Sequence, residues 1–444
     1  MIRDVLKQKL ADALVAQPPN STPRDVRLPA VSRKALAVVG MRRVGKSTLL
    51  WQQLSARLKA GVPRSQLALL NFEDERLTGI GATDLSWLWD EYCRLVPSAR
   101  DGRSCLFLDE IQVVSGWETF VRRLLDSEPV EIFLSGSSAR LLSRELATAM
   151  RGRALEVCLY PFSFREYLRH HGQTPPADPQ FITSADRSEL ERHFREFLQT
   201  GGFPEAQGLA VADRIQLLQG YVQTTVFRDV AERYQVSNLH ALRLLARQLL
   251  SQPAALFSVQ KVFQDFRSQG VAVAKDTLHQ MLGYLEDAFL VATVPIEAAS
   301  ERKRQVNPRK AYPVDPGLIP AFDRSGRTNT GHALETAVLV ELLRRRAEVA
   351  YVRTPQGFEV DFLARYPDGS RELIQVCADL SEAAVREREF RSLADAVVAH
   401  SKTPARLLTL HQELLPTAPP SGVQVQPAYE WLLAQPSAPA TKTE

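Results

Sequence analysis

The sequence predicts an α/β protein. A three-layer core built on a parallel sheet comes first, then a mostly helical stretch with a helix-turn-helix, then a second domain of mixed α and β structure. Three observations predict this. Between Lys34 and Tyr160, short apolar runs alternate with longer amphipathic segments, the pattern of buried parallel strands joined by crossover helices. A glycine-containing turn directly follows the first run, at Gly40 to Ser47. Strand-like runs stop after PFSF (161–164), and a mixed pattern returns from about Pro316.

Taken in order, MIRDVLKQKLADALVAQ is an amphipathic first helix that the turn-rich QPPNSTPRDVRLP (17–29) ends. The runs ALAVV (35–39), LALLNF (67–72), CLFLDE (105–110), VEIFLSG (130–136) and ALEVCLY (154–160) are the expected strands. Residues 164–290 read as helical, broken at QTPPADPQ and TGGFPEA. Within them SVQKVFQDFRSQG (258–270), VAV and KDTLHQMLGYLEDA (275–288) read as helix, turn, helix, with FLVATVPI (289–296) following as a strand. That order is what a winged helix-turn-helix needs. Further on, LETAVLVELLRRR (334–346) and VREREFRSLADAVVAH (385–400) read as helices, and FEVDFLA (358–364) and LIQVCA (373–378) as strands. The expected divisions are 1–163 (core with N-terminal helix), 164–236 (helical lid), 237–312 (winged helix), 313–434 (the second α/β domain) and 435–444 (a disordered tail).

At 444 residues, about three domains are expected. With 55 basic residues against 51 acidic, the net charge of +4 excludes a polycation and does not by itself demand nucleic acid. Lysine is scarce, with none between Lys59 and Lys261. The four cysteines form no CxxC pair and the eight histidines no ligand spacing, so neither a disulfide framework nor a zinc site is expected. The N-terminus lacks signal-peptide layout and no run approaches 18 apolar residues, so a soluble cytoplasmic protein is expected, with no membrane partner.

The chemistry sits in two motifs. Gly40-Met41-Arg42-Arg43-Val44-Gly45-Lys46-Ser47 fits GxxxxGK[ST] between a strand and a helix. Glycines let such a loop wrap a triphosphate while successive N–H groups form an anion nest. Gly40, Arg42, Arg43, Val44, Gly45, Lys46, Ser47 and Thr48 are therefore the candidate ATP contacts. Lys46 should reach the β- and γ-phosphates, and the Ser47 hydroxyl should bind Mg²⁺. Sixty-three residues beyond Lys46, the run Cys105 to Glu110 ends in two acids. Asp109 is the candidate for the Mg²⁺ shell, and Glu110 for polarising the attacking water. The fourth run ends in Ser135-Gly136-Ser137-Ser138. Ser137 there either orients that water, as a catalytic group, or caps the next helix, as Ser138 also could.

NFEDERL (71–77), LFLDEIQVVSGWE (106–118), FLSGSSARLL (133–142), RGR (151–153), YPFSFREY (160–167), TGGFPEA (200–206), KAYPVDPGL (310–318), FEVDF (358–362) and LIQVC (373–377) together resemble one group. It is the large prokaryotic family of AAA+ ATPases fused to a C-terminal domain. The resemblance implies nucleotide bound between subunits of a ring, with an arginine from the neighbour reaching the γ-phosphate. Arg151 and Arg153 match that position, Arg153 being preferred. TGGFPEA resembles the lid stretch in which many such motors carry an arginine, and here Glu205 stands there. The lid and winged helix are similar to those of the motor that drives Holliday-junction branch migration.

A recognition helix would begin near Lys275 and carry Thr277, His279 and Gln280, with Arg302, Lys303, Arg304, Arg309 and Lys310 in the wing. Lys275, Thr277, Arg302, Lys303 and Arg304 are the candidate DNA contacts. The C-terminal domain looks like a restriction-endonuclease fold. Glu335 and Asp361 are in place, but Gln375 and Cys377 stand where an active nuclease needs Glu-x-Lys, so no nuclease activity is expected. The expected function is a homo-oligomeric, hexameric ATPase that moves along or remodels double-stranded or junction DNA, with branch migration as the sharpest form. The alternatives are an ATP-dependent signalling or defence switch, or a protein remodeller, acting through protein partners.

Overall fold

The computed structural model describes residues 2–102, 104–136, 150–306, 308–323, 329–400, 403–412 and 421–434. Its chain divides into two compact units. Residues 1–159 with 287–289 make the first, and 160–286 with 290–444 the second. None of the described helices is long and apolar enough to cross a membrane.

The first unit is organised around a five-stranded sheet of β1 (Ala35–Val39), β2 (Leu67–Asn71), β3 (Cys105–Asp109), β4 (Glu131–Gly136) and β5 (Ala154–Cys158). Its order is β2-β3-β4-β1-β5, and every pairing is parallel. All five residues of β1 are buried, as a central strand covered on both faces must be. Helices α1 (Ile2–Val15), α2 (Lys46–Lys59), α3 (Ala82–Leu95) and α4 (Trp117–Ser127) cover the sheet. Leu6 and Leu10 of α1 are fully buried in this core. The helix ends before Pro18 and Pro19, and Arg64 donates to the carbonyls of Ala13 (2.6 Å) and Ala16 (3.0 Å from Nε) that its last turn leaves unpaired. The strand order, with β4 between the glycine-loop strand and the acidic strand, is that of a P-loop AAA+ core.

In the second unit, helices Phe164–His170, Ser184–Thr200 and Val211–Thr224 lead through a π-helical stretch, Thr225–Glu232, into Leu239–Ser251. Next come β6 (Leu256–Phe257), helices Val259–Ser268 and Lys275–Asp287, β7 (Val291–Val294), a short helix Glu301–Val306 and β8 (Arg309–Pro313). The strands form a small antiparallel sheet, β6-β8-β7. The last sheet contains β9 (Glu348–Arg353), β10 (Glu359–Arg365), β11 (Arg371–Cys377), β12 (Ala405–Thr409) and β13 (Val423–Pro427), in the order β13-β12-β11-β10-β9. β9 to β11 pair antiparallel, and β11 to β13 parallel. Helix Thr330–Arg344 packs on this sheet. One apolar core runs from Phe162 and Phe197 through Tyr312 to Trp431, so the helical stretch, the small sheet and the mixed sheet share buried contacts.

Candidate functional site

In the first unit, β1 and β3 deliver the two motifs to the same edge of the sheet, because parallel strands all end on one side. The loop after β1 turns at Gly40, whose φ is +152°, and a Cβ there would sit 2.2 Å from the Leu159 carbonyl oxygen, so only glycine fits. Met41 and Val44 are fully buried and anchor the loop. Gly45 (φ +96°) caps α2, whose first residue is Lys46. Lys46 is 6% exposed, and its Nζ donates to the carbonyls of Gly40 (3.1 Å) and Met41 (3.0 Å). Ser47 and Arg43 are exposed; Thr48 and Arg42 are half-buried. Arg42 pairs with Glu73 at 3.2 Å, and Arg24 donates to the Val44 carbonyl at 2.7 Å.

Asp109 and Glu110 are both buried. Asn71 Nδ2 donates to Asp109 Oδ2 at 2.7 Å, and the Ser135 hydroxyl donates to Oδ1. Glu110 adopts a left-handed backbone (φ 53°, ψ 41°), a strained conformation of the kind found at functional sites. Its N–H donates to Ser135 Oγ at 3.2 Å, and its carboxylate accepts from Gln112 Nε2. Burial raises the Glu110 carboxyl above its ordinary range, while the Lys46 charge and the Gln112 bond oppose the rise. Lys46 and Glu110 are therefore near enough for their charges to interact. Ser47 is exposed and the Asp109 carboxylate is fixed, and both carry the oxygen donors that a Mg²⁺ ion takes.

Ser137 and Ser138 lie outside the described residues. The hydroxyl brought against the acids is Ser135, two residues earlier. Arg151 is exposed and left-handed (φ 46°), and Arg153 pairs with Asp126. Ala154 pairs with Ala35 at the start of β1, whereas the glycine loop follows Val39 at its end. Arg153 therefore lies about 16 Å, one strand length, from the loop of its own chain. Ser135 stands in the segment whose hydroxyls the sequence singled out, whereas Asn71 and Gln112 were assigned no role although they stand in the motifs NFEDERL and LFLDEIQ.

In the second unit, Lys275 is exposed at the start of its helix and Thr277 is half-buried. Arg302 and Lys303 are exposed, but Arg304 pairs with Glu348 at 2.9 Å. Lys310, expected in a basic wing, proves instead to be an interior residue. It is 4% exposed, and its Nζ lies 3.2 Å from Glu335, 2.8 Å from Glu359 and 2.9 Å from Asp361. Burial alone would lower this ammonium's pKa, but Asp361, Glu335 and Glu359 together hold it above that of an ordinary lysine. Burial, and then Asp361, push Glu335 well above the usual carboxyl range, and Tyr312 donates to it at 2.5 Å. Gln375 accepts from the Asp361 N–H at 3.1 Å and donates to Glu389 at 2.7 Å. Cys377 Sγ faces the Asp379 carbonyl instead of the acids. Glu205 accepts from the Tyr221 hydroxyl.

Residues 32–168 match the family described as AAA domain, and 191–329 match a domain of unknown function. The chain is 31% identical over 379 residues to an uncharacterized protein of Methanocaldococcus jannaschii, covering 84% of this chain and 81% of that protein. It is 30% identical to an uncharacterized protein of Haemophilus influenzae over 74% of this chain and 79% of the relative. Among solved structures, the Walker-type ATPase of Pyrococcus abyssi aligns over 72% of this chain and 95% of its own, at 15% identity and a TM-score of 0.41.

Proposed function

Because the chain belongs to the family of AAA-domain proteins that includes these archaeal and bacterial relatives, we propose that it is a Mg²⁺-dependent ATP hydrolase working as a ring of identical subunits, a hexamer. The observation that carries the reading is the meeting of Lys46 with Asp109 and Glu110 at one sheet edge. A nest of N–H groups from Gly40 to Ser47 would bind the triphosphate, and Lys46 would release its two carbonyls to engage the β- and γ-phosphates. Ser47 and Asp109 would hold Mg²⁺, which neutralises charge developing on the phosphate oxygens. Glu110 would accept the proton of the attacking water. Arg153 of a neighbouring subunit would complete the γ-phosphate contacts.

The β6-β8-β7 sheet with helices Val259–Ser268 and Lys275–Asp287 supports a winged helix, and exposed Lys275, Arg302 and Lys303 support duplex or junction DNA as its partner. Movement along DNA, or branch migration, would be the output. A second reading, a nucleotide-driven switch that acts on a protein partner, is favoured by the internal pairing of Arg304 and Lys310, which removes two cations from the wing.

The test is Lys46-dependent phosphate release from ATP with and without duplex and four-way-junction DNA, at two salt concentrations. Hydrolysis that DNA stimulates and salt suppresses is expected. Hydrolysis without DNA binding at low salt selects the switch, and phosphate release unchanged in Lys46→Ala rejects the site.

A further inference from the structure

The two adjacent acids at the end of β3 are each held by a separate amide. Asn71, at the end of β2, donates to Asp109 at 2.7 Å. Gln112, two residues beyond Glu110, donates to the Glu110 carboxylate. Gln112 can reach back because residues 111–113 form a single 3₁₀ turn, closed by the Val113 N–H on the Glu110 carbonyl at 3.2 Å. Ile111 and Val114, buried on either side, fix that turn in the core. The other end of the amide, Gln112 Oε1, is shielded from solvent and has no hydrogen-bond partner among the described residues. With Oε1 enclosed by the protein, the amide keeps Nε2 turned toward the acid.

We propose that Gln112 is a positioning residue for ATP hydrolysis: its Nε2 holds the Glu110 carboxylate in the orientation that takes the proton of the attacking water. This rests on the hydrolase reading above. The water oxygen bonds to the γ-phosphorus as the bond from that phosphorus to the β–γ bridging oxygen breaks. The bridging oxygen leaves on ADP with the electron pair, and the water proton passes to Glu110. A carboxylate held by an amide donor presents its free oxygen in one direction, where an unheld carboxylate rotates. The amide suits the task because it carries no charge. A second carboxylate at residue 112 would repel Glu110, and an ammonium would compete with Lys46 for it.

The experiment compares wild type, Gln112→Leu, Gln112→Ala and Lys46→Ala. It reads phosphate release across MgATP concentrations, affinity for a non-hydrolysable ATP analogue, and melting temperature. Both Gln112 variants should lose about 10- to 100-fold in kcat, with KM and analogue affinity within about threefold of wild type and melting unchanged. Unchanged or raised kcat overturns the assignment. So does a loss of turnover matched by an equal loss of analogue affinity or of folded protein. If wild-type protein shows no phosphate release beyond that of Lys46→Ala, the hydrolase reading itself fails and the Gln112 assignment falls with it.

Discussion

Asp315 accepts the backbone N–H of Gly202 at 2.7 Å, and so joins the Gly-Gly turn after helix Ser184–Thr200 to the Asp-Pro-Gly turn after β8. Its other oxygen accepts from Gly317 at 2.9 Å. A Cβ on Gly201 would lie 1.8 Å from Asp315 Oδ1, and one on Gly202 2.3 Å from the Phe162 carbonyl oxygen. These contacts account for the glycines of TGGFPEA by close packing, with no nucleotide invoked.

Complete burial pushes the Asp315 carboxyl up to about 7 from its ordinary 3.8. Between those values the folded chain holds a proton that the unfolded chain has lost, so stability falls as pH rises through the window and levels off above it. The loss is about 1.4 kcal/mol per pH unit from this group. Melting temperatures of wild type and Asp315→Asn at pH 5, 6, 7 and 8 should differ in slope, with the variant flatter. Equal slopes would remove Asp315 as the titrating group.

Lys310→Met should cost about 3–5 kcal/mol in chemical denaturation, because Glu335 and Asp361 are left buried without their ammonium. Adding Glu335→Gln to that variant should restore part of the loss. A stable single variant would mean the cluster is already neutral.

Glu110→Gln should lower kcat by about 10²–10⁴-fold while ATP still binds. Equilibrium binding of labelled ATP alongside phosphate release measures both. Turnover near that of wild type would assign the proton transfer elsewhere.

Mixing Arg153→Ala subunits with Lys46→Ala subunits should recover activity that neither has alone, since a hybrid interface pairs an intact loop with an intact arginine. A mixture as inactive as its components, with Arg153→Ala alone fully active, would remove Arg153 from the neighbour's site.

Charge reversal at Lys275 and Lys303 together should weaken duplex binding and flatten its salt dependence, by about one unit of slope for each phosphate no longer neutralised. A fluorescence-anisotropy titration at several salt concentrations gives both quantities. Binding with an unaltered slope would move the DNA face away from this wing.

The five strands of the first unit were legible to within a residue or two, because strands buried on both faces read as unbroken apolar runs. So was the acid pair, since strand and motif coincide at Cys105–Asp109. The hydroxyls of Ser135 to Ser138 were legible only as a group; the packing of β4 beside β3 brings Ser135 against Asp109, and Ser137 and Ser138 lie outside the described residues. Lys310 was misread because its carboxylate partners lie 25, 49 and 51 residues further along the chain. Side by side in sequence, the residues of 302–310 look like one solvated basic run; folded, β8 turns its lysine inward while Arg302 and Lys303 stay exposed. Strands β9, β12 and β13 went unread, because EVAYVR, ARLLT and VQVQP mix charged and polar residues into their apolar runs.

A diffusible ion in an acidic centre has a dissociation constant, so its occupancy follows supply, and a chelator can strip it. The Lys310 ammonium among Glu335, Glu359 and Asp361 is instead tethered through four methylenes to β8. It cannot be diluted away or sequestered, and it leaves only if β8 itself peels from its neighbours. The positive charge that offsets these acids is therefore set by the integrity of the fold, whatever the ionic composition of the surrounding medium.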